Sequence, residues 1–164
     1  MQNAPDAARA ATGDEPRQFI SFTIGTEEYG VDIMAIREIK GWTATTELPN
    51  TPPYVRGVIN LRGAIVPIFD LRTRFGGGAT VTGARHVIIV VSVRSRVVGL
   101  LVDAVADIIT IAAGSIQPVP DLERKADTGF LSGLVTVDGR MVALLDLDRL
   151  FDAELTADLH SFAA

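Results

Sequence analysis

The chain contains no cysteine, so disulfides and thiolate metal sites are both excluded. It has only two histidines, His86 and His160, and neither stands at a motif spacing from a ligand or a nucleophile. The longest apolar runs, such as Val87 to Val91 and Val97 to Val102, are far too short to span a bilayer. The N-terminus, Met-Gln-Asn-Ala-Pro-Asp, lacks the basic and apolar regions of a signal peptide. Gly76-Gly77-Gly78 is not followed by the lysine and hydroxyl residue of a phosphate-binding loop, and GxGxxG and Gly-x-Ser-x-Gly are missing. Asp103 and Asp107, four apart, read as a helix N-cap and a solvated acid rather than a catalytic pair. These absences favour a cytoplasmic protein without enzymatic activity.

Aromatic residues are also scarce, at 6%, whereas 48% of the 164 residues are hydrophobic, and the β-branched Val and Ile supply 31 of those 78. That composition favours strands over helices. The formal charge of −5 argues against nucleic acid, although its distribution is uneven. Between Tyr54 and Val102 seven arginines face a single acid, Asp70. Such a segment either steers an acidic partner or solubilises the polar edges of apolar strands.

The most informative stretch is Tyr54 to Phe75. It reads as a hairpin with apolar arms, a tip at Arg62-Gly63, and Asp70 capping a helical turn. The tip is expected to be a type I turn beginning at Asn60, with Leu61 and Arg62 at its centre and Gly63 in a left-handed bulge. Only glycine takes that conformation without penalty, which makes Gly63 structural and leaves Arg62 without a backbone duty. Pro67 cannot donate to a ladder and marks a sheet edge or a bulge. Ala64 to Phe69 is apolar throughout, as in a strand covered on both sides.

The hairpin occurs twice. Shifted by 76 residues, Gly57, Gly63, Val66, Asp70, Leu71 and Phe75 fall on Gly133, Gly139, Val142, Asp146, Leu147 and Phe151. At a shift of 69, Gly30, Ala35, Ile36, Glu38 and Ile39 fall on Gly99, Ala104, Val105, Asp107 and Ile108. The second linker, within Ala112 to Gly129, is therefore seven residues longer.

Short strands at regular spacing predict two five-stranded barrels packed side by side. Residues 1–17 read as a disordered tail, 18–78 and 79–151 as approximate subdomains joined at the triple glycine, and 152–164 as an amphipathic helix and tail. Asp32 is expected to cap a short helical turn through Ile33 to Ala35. An OB-like barrel binding single-stranded nucleic acid is the alternative, although the basic segment offers only Tyr54, Phe69 and Phe75 for stacking.

Several blocks together resemble CheW, the bacterial chemotaxis coupling family. They are Phe22-Thr23-Ile24-Gly25-Thr26-Glu27-Glu28-Tyr29-Gly30-Val31-Asp32-Ile33, Arg37-Glu38-Ile39, Arg56-Gly57-Val58-Ile59-Asn60-Leu61-Arg62-Gly63 and Val66-Pro67-Ile68-Phe69-Asp70-Leu71. Val98 to Asp103 and the Gly133 hairpin extend the resemblance over roughly Gln18 to Phe151. It implies an all-β fold of two SH3-like barrels and an adaptor without enzymatic activity, cofactor or metal. The implied partners are the cytoplasmic tip of chemoreceptors and the regulatory domain of the histidine kinase CheA. The adaptor would be monomeric when free, would not insert into the membrane, and would be recruited to membrane-associated receptor arrays. Carried over by motif position, the receptor-binding residues are Ile36, Glu38, Gly57, Arg62, Ile108 and Gly133. Kinase-contacting residues are not assigned.

Overall fold

The computed structural model describes residues 15–120 and 129–152. Strands carry almost all the regular structure. In chain order they are β1 (Arg17–Ile24), β2 (Glu27–Asp32), β3 (Ile36–Gly41), β4 (Val55–Leu61) and β5 (Ala64–Asp70). These are followed by β6 (Val87–Val93), β7 (Arg96–Val102), β8 (Ala104–Ile111), β9 (Leu131–Val137) and β10 (Arg140–Leu145). Single helical turns, Leu71–Arg74 and Leu147–Leu150, follow β5 and β10. A 3₁₀ turn, Ile33–Ala35, separates β2 from β3, and Asp32 caps it by accepting from the Met34 N–H, as expected.

The strands form two five-stranded sheets, ordered β8-β1-β2-β10-β9 and β3-β6-β7-β5-β4. Each is an SH3-like subdomain, and they are called here the first and second barrel. Replacing β1 to β5 by β6 to β10, and the reverse, converts one order into the other, so the sequence repeat is a repeat of architecture. The two halves nevertheless exchange strands. β3 leaves its own half to pair with β6, β8 returns to pair with β1, and the β4–β5 and β9–β10 hairpins join the opposite half through parallel β5–β7 and β10–β2 ladders. The expected division at residues 78 and 79 therefore does not coincide with the barrels, and the triple glycine lies in a connection rather than at a boundary. Duplication shows which segments correspond, but not which half supplies a strand's neighbour.

Alternation along the strands explains the apolar runs. In β6, Ile88 and Val90 enter the interior of the second barrel with Ile59, Val66, Ile68 and Leu101. Their neighbours Ile89, Val91 and Val93 face the other way, into a larger core with Phe22, Val31, Phe69, Leu100, Phe130 and Phe151. That core draws on both sheets. A smaller group, including Phe19, Ile109, Val135 and Val142, fills the first barrel. Strands buried on both faces need apolar residues at every position. β5 follows this only from Val66, because Ala64 and Ile65 are exposed. Its parallel ladder with β7 begins at Ile68, so at Pro67 the strand is paired with β4 alone.

The hairpin tip departs from expectation. Leu61 pairs directly with Ala64, and both Arg62 (φ 53°) and Gly63 (φ 91°) are left-handed. This is a two-residue turn of the mirror-image type whose twist matches the strands, not a type I turn with a bulge. Asn60 contributes differently from expected, its side chain accepting from the Gly63 N–H. Arg62 thus has a backbone duty after all, in a conformation that asparagine or glycine takes more readily. Asp138 and Gly139 repeat the arrangement, with φ of 51° and 80°. The first strand begins at Arg17, one residue before the predicted start. Most of the predicted tail at 1–17 and, from residue 153, the predicted C-terminal helix lie outside the described residues.

Candidate functional site

Four of the six carried-over residues belong to the second barrel. Ile36 and Glu38 lie on β3, Gly57 on β4, and Arg62 at the β4–β5 turn. β3 and β4 are the terminal strands of that sheet, and the Arg62 guanidinium donates to the Glu38 carboxylate across them. The pair is a surface latch, with the Arg62 side chain 73% exposed. Glu38 also holds the Arg62 guanidinium more firmly in its charged form, through the hydrogen bond first and its charge second. Ile36 is half-buried and packs against the shared core, which leaves part of its side chain open to a partner.

Ile108 and Gly133 lie apart from this group, on β8 and β9 of the first barrel. Ile108 is 51% exposed. Its counterpart by the 69-residue shift is Ile39, which follows Glu38 on β3 and is 42% exposed. Ile39 is therefore an exposed apolar residue that the carried-over set omits, on the face of β3 opposite Glu38, and the repeat itself contained the signal for it.

The two glycines have a structural explanation. Gly57 has φ +138°, and a Cβ there would sit 2.3 Å from the Thr46 carbonyl oxygen. The segment before β4 crosses it closely, because Thr46 and Val58 exchange backbone hydrogen bonds at 2.9 Å in each direction. At Gly133 a Cβ would meet the Ile116 methyl at 2.5 Å and the Gln117 carbonyl oxygen at 3.0 Å. There Gln117 and Leu134 exchange hydrogen bonds at 2.8 Å, so both barrels use the same crossing.

The arginine-rich segment is largely occupied with its own structure. Arg56 donates to the Thr80 carbonyl and lies 3.6 Å from Asp70, while Arg94 reaches Asp148 and Asp152. Asp70, fully buried, caps the turn after β5 and also accepts from the backbone and hydroxyl of Thr80. Asp103 was placed on a helix by sequence, yet it precedes a strand and joins three elements. Its carboxylate accepts from the Gly25 N–H at 2.7 Å and from Arg72 at 2.5 Å, and lies 3.6 Å from His86 Nε2. Partial burial disfavours its charge, but the Gly25, Arg72 and His86 contacts outweigh burial and hold its carboxyl below the usual range. His86 Nδ1 accepts from the Gly83 N–H, which fixes a loop. Among the described residues no group of three or more His, Asp or Glu is placed to hold a metal ion.

The OB-like alternative is not favoured. Phe69 is buried, Phe75 is stacked on Phe130, and Tyr54 is stacked on Phe69, so no aromatic row faces out from the basic segment. Among the described residues no helix is long and apolar enough to cross a membrane.

Paired SH3-like barrels that share a core, with an exposed charged pair across the terminal strands of one, are the architecture of a CheW-like scaffold. The chain belongs to the CheW family of chemotaxis scaffold proteins: the CheW-like domain matches residues 18–155. It is 51% identical over 138 residues to the chemotaxis protein CheW of Rhizobium meliloti, covering 84% of this chain and 89% of that one. It is 41% identical over 147 residues to the CheW of Klebsiella aerogenes, covering 90% and 89%. The crystal structure of the scaffolding protein TtCheW from Thermoanaerobacter tengcongensis superposes with a TM-score of 0.76 at 37% identity, covering 83% of this chain and 88% of that one. Membership makes the chain a non-enzymatic scaffold, as the resemblance implied.

Proposed function

We propose that this protein couples the cytoplasmic tips of chemoreceptors to the regulatory domain of the histidine kinase CheA, in the cytoplasm and at membrane-associated receptor arrays. The observation that carries this reading is the shared core. Phe22 and Val31 from one sheet and Phe69, Ile89 and Leu100 from the other are buried in a single cluster. A partner held by one barrel is then fixed in orientation relative to a partner held by the other, since close-packed interiors transmit displacement instead of absorbing it. Motion of the receptor would reach the kinase as a change in geometry.

Receptor contact is assigned to the latch and its surroundings. Glu38 and Arg62 set orientation by charge, with apolar contact from Ile36 and Ile108, and a receptor helix lies against them in helix-in-groove fashion. Gly57 and Gly133 act from beneath by letting the crossing segments approach. Micromolar contacts, about −8 kcal/mol each, suffice when many assemble in one array. The free protein is monomeric. A pull-down with immobilised receptor signalling tips and, separately, the kinase regulatory domain tests the proposal. Retention by both is expected, and retention by neither overturns it.

A further inference from the structure

The two barrels differ at one place where the repeat should make them alike. In the second barrel, Glu38 on β3 and Arg62 at the β4–β5 turn form the latch across the terminal strands. Their counterparts in the first barrel are Asp107 on β8 and Asp138 at the β9–β10 turn, and both are acids. Two carboxylates cannot close a seam. Between the terminal strands β8 and β9 the structure instead has a cleft of about 490 Å³, lined by both acids. Ile108, Ile109, Ile111, Val135 and Val137 also line it. That volume lies within the range of ligand sites, about 300–1,000 Å³.

The local charge is acidic. Among the described residues Arg140 is the one cation lining the cleft, and its guanidinium is engaged by Glu28 at 2.8 and 3.3 Å, with Asp138 4.0 Å away. With Arg140 already paired to Glu28, Asp107 and Asp138 leave the described lining of the cleft acidic. The Asp138 side chain is 87% exposed, so it is free to turn toward an incoming cation. β9 is already paired at Leu134 by Gln117, but β8, a terminal strand, presents backbone groups able to pair with an added extended chain.

We propose that the β8–β9 cleft takes a short extended peptide segment bearing lysine or arginine, laid along the strand edge by β-augmentation and held at its basic side chains by Asp107 and Asp138. The latch prevents the same binding in the second barrel. This goes beyond the coupling role, because the occupant is an extended basic peptide and not a receptor helix or a folded kinase domain, although the peptide shares Ile108 with the receptor surface proposed above.

The test is fluorescence anisotropy of the full chain with two labelled octapeptides, one alternating lysine and valine, the other glutamate and valine. The lysine peptide is expected to bind at least tenfold more tightly, and to weaken as salt is raised, because exposed charges are screened. Asp138→Arg, which places a cation opposite Asp107 as Arg62 stands opposite Glu38, is expected to lower that affinity at least tenfold with the thermal midpoint maintained. Should that variant fail to fold, Asp107→Asn is the substitute, with an expected loss of at least threefold. Amide chemical-shift changes should concentrate on β8 and β9. Equal binding of the two peptides, no binding of the lysine peptide at millimolar concentration, unchanged affinity in the folded variant, or shifts centred on β3 and β4 would each overturn the proposal.

Discussion

Replacing Gly57 by alanine separates a structural glycine from a contact residue. The substitution meets two obstacles at once. The backbone stands at φ +138°, where a side chain costs about 1–3 kcal/mol. The new Cβ would also lie 2.3 Å from the Thr46 carbonyl oxygen, and the obstacle is backbone, which cannot rotate away. Relief requires moving the segment before β4 and weakening the two Thr46–Val58 hydrogen bonds, each worth about 1 kcal/mol. The expected loss is about 3–5 kcal/mol, a fall of roughly 10 °C in the thermal midpoint for a domain of this size. Gly63→Val is the comparator. It shares the positive φ (+91°), but its Cβ would meet no atom within 4 Å, so backbone strain is the main cost and the loss should be about 1–3 kcal/mol. Denaturant melts followed by circular dichroism read both values. A Gly57→Ala protein with an unchanged midpoint and lost receptor binding would refute the reasoning and make Gly57 a contact residue.

Arg62→Asn keeps a residue suited to the left-handed position while removing the cation, so the midpoint should hold or rise while receptor-tip binding by calorimetry weakens at least fivefold. A fall in stability without selective loss of binding would make Arg62 structural. Asp103→Asn should cost about 1–2 kcal/mol at pH 7, since an amide retains the Gly25 contact but loses the ion pair with Arg72. Because the Asp103 carboxyl is depressed in the folded state, its contribution is present above the ordinary aspartate value of about 3.9 and is lost as the pH falls through the folded value. The difference between wild type and variant should therefore shrink when melts are repeated below about pH 4, and an undiminished difference would contradict the assignment.

The sequence carried the local rules well. Asp32 and Asp70 cap the turns expected of them, because capping depends on residues two or three positions away. The repeat of the hairpin identified corresponding strands for the same reason. What it did not carry was partnership at a distance: the exchange of β3 and β8 between barrels, or Asp103 joining the Gly25 turn to Arg72. Those depend on where the chain returns, which no spacing records. The hairpin tip failed at closer range. Asn60 and Gly63 fit two turn types equally well, and the register between β4 and β5 selected the one that makes Arg62 left-handed. The six carried-over residues were legible only through the family pattern, and the strands that carry them belong to both barrels.

The proposed coupling requires that one molecule hold receptor and kinase together in fixed geometry. Analytical ultracentrifugation of the protein mixed with a receptor signalling tip and the kinase regulatory domain measures this directly. The account predicts a single ternary species containing all three, formed at concentrations where tip and kinase domain alone do not associate. Two binary complexes that exclude one another, with each partner displacing the other, would contradict it.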